Sequence, residues 1–149
     1  MQKAINPKGV STPPYFSQAI EVSGFARTLY VSGQVGVAAD GSFPPNVGEQ
    51  AKLAIANLAE AGMDRDNIVK NTIYLTDPSH MEEFMAAGRE LLSSPPAAST
   101  LLVVKALANP ELLIEIEAVA VAKKHSENDL TVVKLAPANI CMRFNESVN

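Results

Sequence analysis

Ile114-Glu115-Ile116-Glu117-Ala118-Val119-Ala120 alternates with a period of two. On a strand, that period sends successive side chains to opposite faces. Ile114, Ile116, Ala118 and Ala120 line one face, which is small and apolar. Glu115 and Glu117 line the other, about 7 Å apart at the backbone. The strand reads from Leu113 to Ala122. One of its faces suits a core, and the other carries a pair of like charges.

Working outward, Ser99–Val104 is a strand, joined to Leu113 by a turn around Asn109-Pro110. Thr28–Val37 also alternates. Leu29, Val31, Gly33, Val35 and Val37 take one face, and Tyr30, Ser32, Gln34 and Gly36 the other. Two glycines inside it predict a bulge or the close approach of another group. Asn67–Leu75 is a further strand, with Ile73 and Leu75 opposite Thr72 and Tyr74. Gln18–Val22 is a short one, and the stretch from Asn6 to Pro14 reads as irregular. Two segments carry helical spacing instead. Val47, Ala51, Ala54, Ile55, Leu58 and Ala61 form one stripe, with Gly62 as its stop. Met81, Phe84, Met85, Leu91 and Leu92 form the second, with Ser79 and Glu82 as a capping box.

The order is strand, strand, helix, strand, helix, strand, strand. That is an α+β plan with two helices on one face of a sheet. The other face lacks a helix. Val35, Val37, Val119 and Val121 are expected there and need a cover, which self-association supplies.

The chain has 149 residues and a mass of 15.8 kDa, enough for one domain with its own core. Twelve Lys and Arg against sixteen Asp and Glu give a net charge of -4. That balance is a poor grip for phosphate backbones, and no nucleic-acid partner is expected. With no Trp and 5% aromatics, stacking platforms are scarce. One cysteine, Cys141, rules out an internal disulfide framework and reads as an inert apolar residue. His80 and His125 lie in no metal-ligand spacing and read as surface residues. No metal or cofactor is expected. No apolar run is long enough for a bilayer, and Met1–Lys8 lacks the apolar core of an export signal. A cytoplasmic location is the expectation, without a membrane. After Lys124 the composition changes. Residues 125–149 read as an extension of unknown role, with candidate strands at Leu130–Leu135 and Ile140–Phe144.

Two features could carry chemistry. A carboxyl of the Glu115–Glu117 pair, beside valines and a like charge, has its pKa raised and exchanges a proton near neutral pH. The alternative is a solvated or salt-bridged pair. Ser32-Gly33-Gln34 lets a ligand reach the backbone. The alternative there is a bulge with polar side chains in water. G-x-S-x-G is absent, and Gly33–Gly36 is not a phosphate loop. Tyr15 is an aromatic on an irregular segment, a pocket cap or a half-buried anchor.

Several segments together resemble the Rid family, the reactive intermediate deaminases also called YjgF proteins. They are Pro14-Tyr15-Phe16-Ser17-Gln18-Ala19, Tyr30–Val35, Gln50, Asn57-Leu58, Ala61-Gly62, Asp66–Thr72, Pro96-Ala97 and Ile114–Ala120. The resemblance covers about Ala4 to Lys124, so residues 1–124 are expected to form one Rid-like domain. It implies a chorismate-mutase-like fold of order ββαβαββ, a homotrimer, and ligand clefts between subunits. It also implies a small-molecule substrate, a 2-imino acid or its enamine. A water held by a Glu attacks the imine carbon and releases ammonia. That Glu resembles Glu115. Ser32 and Gly33 resemble the pocket strand, Tyr15 the cleft aromatic, and Ala98 and Thr100 the segment that meets the substrate. At Ala98 the family carries an Arg that pairs with the substrate carboxylate. Met85 stands where some members have an Asn. Two readings remain open: hydrolysis of an imine, enamine or related C–N substrate, or non-catalytic ligand binding on the same trimer. Ribonuclease and translation-inhibitor roles described for some members sit poorly with the charge of -4.

Overall fold

The structure is a computed structural model, which describes residues 1–11, 14–24, 27–60, 64–89 and 93–122. The elements run β1 (Gln2–Ile5), β2 (Ala19–Val22), β3 (Arg27–Val35), α1 (Val47–Glu60), β4 (Ile68–Leu75), α2 (Met81–Gly88), β5 (Ala98–Val103) and β6 (Ile114–Ala122). Four strands form a mixed sheet in the order β3-β6-β4-β5. β6 lies antiparallel between β3 and β4, and β4 pairs with β5 in parallel. The strand with the strictest alternation is therefore interior, last among the described elements but near the middle of the sheet.

Both helices cover one face, here the inner face. Ile114, Ile116 and Ala118 of β6 pack there with Ile73 and Leu75 of β4, Val47, Ala51, Ala54 and Leu58 of α1, and Phe84 of α2. Helical spacing on α1 and period-two spacing on the strands converge on one apolar layer. Asn46 Oδ1 accepts the Glu49 amide at 2.8 Å and caps the start of α1.

Four expectations are corrected. β1 is an additional strand, so the order is βββαβαββ. It pairs antiparallel with β2 in a separate two-stranded sheet, register Gln2 to Val22. Four residues carry too little pattern to reveal a partner that distant in sequence. The single-phase alternation over Thr28–Val37 also fails. A register shift falls between Val31 and Gln34, so Val31 faces Ala118 but Gln34 faces Ile116. Leu29 and Val31 keep to the inner face, while Val35 moves to the outer face with Glu115. Third, Ser79 is not the cap of α2. Asp77 accepts the Ser79 amide at 2.8 Å and starts a 3-10 turn over Pro78–His80 that leads into the helix. His80 is half-buried, and its buried Nδ1 has no hydrogen-bond partner. Fourth, Val121 needs no cover, being buried within the chain. Ala61, Gly62, Leu91, Leu92, His125, Cys141 and the whole extension from 125 lie outside the described residues.

One polar side chain ties the layers together. Gln50 on α1 is fully buried. Its amide donates to the carbonyls of Pro44 (2.9 Å) and Glu111 (2.8 Å), and its oxygen accepts the Leu113 amide (2.8 Å). Those bonds fix the start of β6 against α1. Gly36 permits the approach, because a Cβ there would strike the Gln50 backbone. Gln50→Leu leaves two carbonyls and an amide buried without partners. It is expected to cost about 3 kcal/mol or more, read as a lower urea midpoint with unchanged slope.

Candidate functional site

The outer face of the sheet is built by strict register. Glu115, Glu117 and Val119 of β6 lie beside Tyr74, Thr72 and Lys70 of β4, and these lie beside Leu102, Thr100 and Ala98 of β5. On the other side, Tyr30 pairs with Val119 and Val35 with Glu115. Tyr30 is 79% exposed and Leu102 47%, while Val35, Val37 and Val119 are half-buried. Among the described residues no helix covers this polar, acidic and aromatic surface.

Glu115 and Gly33 meet. A Cβ built on Gly33 would fall on the Glu115 carboxylate and lie 2.7 Å from its Cδ. The bulge and the missing side chain together make the hollow in which the carboxylate lies. There the carboxyl loses water, and this burial, followed by the charge of Glu117, raises the Glu115 pKa above the ordinary glutamate range. Glu117 itself is exposed and accepts the Tyr74 hydroxyl at 3.2 Å. Partial burial, then that bond, raises the Tyr74 pKa. Two carboxyls of one strand thus differ in environment, which equips one of them for proton exchange.

The other sequence-predicted residues do not join Glu115 on the same chain. Ala98 lies opposite Lys70, which lies opposite Val119, four residues from Glu115. That is about 10 Å across the strands and about 13 Å along them. Ala98 forms a parallel bridge with Ser17, whose amide donates to Ala97 O at 3.0 Å and whose hydroxyl donates to Pro96 O. This holds the Tyr15 segment beside the start of β5. Tyr15 borders a cavity of about 370 Å³ under the helices, lined chiefly by apolar side chains such as Ile73, Phe84, Met85 and Leu101. Arg89 is exposed at that cavity's rim. Ser32 borders a second hollow of about 330 Å³, on the outer face. Glu115 and Gly33 thus meet on β6 and β3, and Tyr15 and Ala98 lie together at the start of β5; between them lie Ser32, on the hollow that Lys70 borders, and Thr100, bonded to Lys70. Sequence reasoning missed Lys70 and the Tyr74–Glu117 bond. The signal was present, since Lys70, Thr72 and Tyr74 recur at period two opposite Ile73 and Leu75.

Fold and face define a class: a small α+β protein with helices on one side of a mixed sheet and a polar face on the other. The family model described as Endoribonuclease L-PSP matches residues 8–122. A RutC family protein of Aquifex aeolicus (strain VF5) is 39% identical over 128 residues, covering 80% of this chain and 99% of its own. A 2-iminobutanoate/2-iminopropanoate deaminase of Bos taurus is 36% identical over 112 residues, covering 71% and 79%. The solved structure of the Rid-family protein YyfB of Yersinia pestis superposes with a TM-score of 0.71 at 33% identity, covering 81% of this chain and 98% of that one. The chain belongs to the YjgF/Rid family. Among the described residues no helix is long and apolar enough to cross a membrane.

The raised pKa gives a signed expectation. A carboxyl whose folded pKa lies above its unfolded value contributes stability below the unfolded pKa. That contribution is lost as pH rises through the folded pKa. Glu115→Gln stays neutral throughout, so its melting temperature relative to wild type is expected to be higher at about pH 7.5 than at about pH 4. An equal difference at both pH values shows that Glu115 titrates as an ordinary surface glutamate. Gly33→Ala displaces the end of a flexible side chain, so the fold survives. In that variant the Glu115 titration, followed by carboxyl NMR, is expected to move down toward the ordinary range.

Proposed function

We propose that the chain hydrolyses an imine, enamine or related C–N substrate in a cleft shared between copies of a homotrimer. The observation that carries this reading is the Glu115 carboxyl, partly stripped of water and seated against the bare backbone of Gly33. As the carboxylate, Glu115 can take a proton from water as the oxygen adds to the imine carbon. Glu115 returns that proton to the nitrogen, which gives the neutral carbinolamine. As the C–N bond breaks, the hydroxyl proton passes to the nitrogen through the same carboxylate, ammonia leaves, and a carbonyl compound remains. The deaminase name carried by the bovine relative supports the reaction class.

Sharing the cleft is supported by the split of candidate residues on one chain. Glu115 with Gly33, and Ala98 with the Tyr15 segment, stand too far apart to hold one small molecule. A second copy packed on the outer face brings the two groups together and also covers Tyr30 and Leu102. Ala98 favours a second reading, non-catalytic ligand binding on the same assembly, because its methyl group offers no charge to orient a substrate.

Ammonia release from freshly generated 2-iminopropanoate distinguishes the two. Wild type is expected to accelerate it, and Glu115→Ala to lower the rate about 100-fold or more. A wild type no faster than buffer, under conditions where the folded protein binds ligand, leaves the binding reading. Light scattering is expected to give about three times the 15.8 kDa chain mass; a monomer mass rejects the shared cleft.

A further inference from the structure

Lys70 is the one cation among the described residues of the outer sheet face. It borders the 330 Å³ hollow together with Tyr30, Ser32, Thr72, Glu117 and Val119. Its ammonium donates to Thr100 Oγ1 at 2.8 Å and to Asn71 O at 2.9 Å. Both acceptors are neutral. An ammonium has three donors, and among the described residues Lys70 makes no ion pair. Burial lowers its pKa, which the charge of Glu117 only partly offsets. Lys70 is thus a cation partly stripped of water without a bonded counter-charge, an arrangement that costs free energy until an anion arrives.

The neighbouring strand gives it room. Ala98 is the direct partner of Lys70 in the parallel ladder, and Thr100 lies two residues further on. The methyl group of Ala98 lets the lysine cross the surface of β5 and reach the Thr100 hydroxyl. A long side chain at 98 would compete for that path.

We propose that Lys70 is the anion anchor of the outer-face cleft and that it grips a single carboxylate, with the hydroxyl-bearing Ser32 and Thr72 beside it. A monoanion fits better than a phosphate dianion. Lys70 is the one cation there among the described residues, and Glu117 lies in the next register row, opposite Thr72. This rests on reading the outer face as a small-molecule cleft, and it sharpens that reading: the ligand is an organic acid even though Ala98 carries no charge. Lys70 and Glu115 are about 13 Å apart along the strands of one chain. A small substrate held by Lys70 of one copy therefore meets Glu115 of another.

Equilibrium binding tests this without turnover, using the full chain titrated with propanoate and with its neutral isostere propanamide. Wild type is expected to prefer propanoate. Lys70→Gln is expected to weaken propanoate about tenfold and leave propanamide unchanged. Lys70→Arg, which keeps the charge, is expected to retain the preference for the acid. The proposal is overturned if wild type shows no preference for propanoate, or if Lys70→Gln binds it as wild type does. It is also overturned if Lys70→Gln loses both ligands equally while Lys70→Arg does the same. Should Lys70→Gln fail to fold, the wild-type preference and Lys70→Arg still decide. Absence of ammonia release from wild type would remove the hydrolase reading and leave this test standing.

Discussion

The two-sidedness of β6 is the constraint on which the other features depend. Ile114, Ile116, Ala118 and Ala120 are buried under the helices, so Glu115 and Glu117 must emerge on the opposite side. A slip of one residue would put two carboxylates into the apolar layer, a cost far above the stability of a small domain. Register is therefore fixed for β6, and through it for β3 and β4. Gln50 reinforces this from the helix side, since its three bonds set where β6 begins.

That fixed register turns a structural requirement into a chemical opportunity. Charges excluded from the core gather on the open face, where burial is only partial. Glu115 loses enough water beside Gly33 for its proton affinity to rise, while Glu117 stays exposed and bonded to Tyr74. Gly33 makes the difference, because its bare backbone lies against the Glu115 carboxylate. β4 adds a lysine to the same surface and β5 a threonine. The outcome is an open face on which Lys70 and Glu117 border one hollow and Glu115 lies two residues further along β6.

Much of this was legible in local pattern. Period two revealed β3 to β6, and helical spacing revealed α1 and the start of α2. Both are short-range consequences of backbone geometry. The same logic placed Glu115 and Glu117 together on one face and anticipated a close approach at Gly33. It failed where a neighbour in space overrode the pattern. The bulge in β3 is defined by pairing with β6, more than eighty residues away, so the faces of Val31 and Val35 could not be phased from β3 alone. β1 was too short to announce itself. Asp77 captured the Ser79 amide and displaced an otherwise well-spaced capping box.

By itself, the sequence determined the class of fold, the membership of the apolar layer and the exile of two carboxylates from it, because alternation and burial are properties of neighbouring residues. Only the tertiary structure decided which residues share a site. It seated Glu115 against Gly33, laid Lys70 across Ala98 to Thr100, and set Tyr15 and Ala98 apart from Glu115. Those relations depend on strand order and register between distant segments, and no spacing along the chain encodes them.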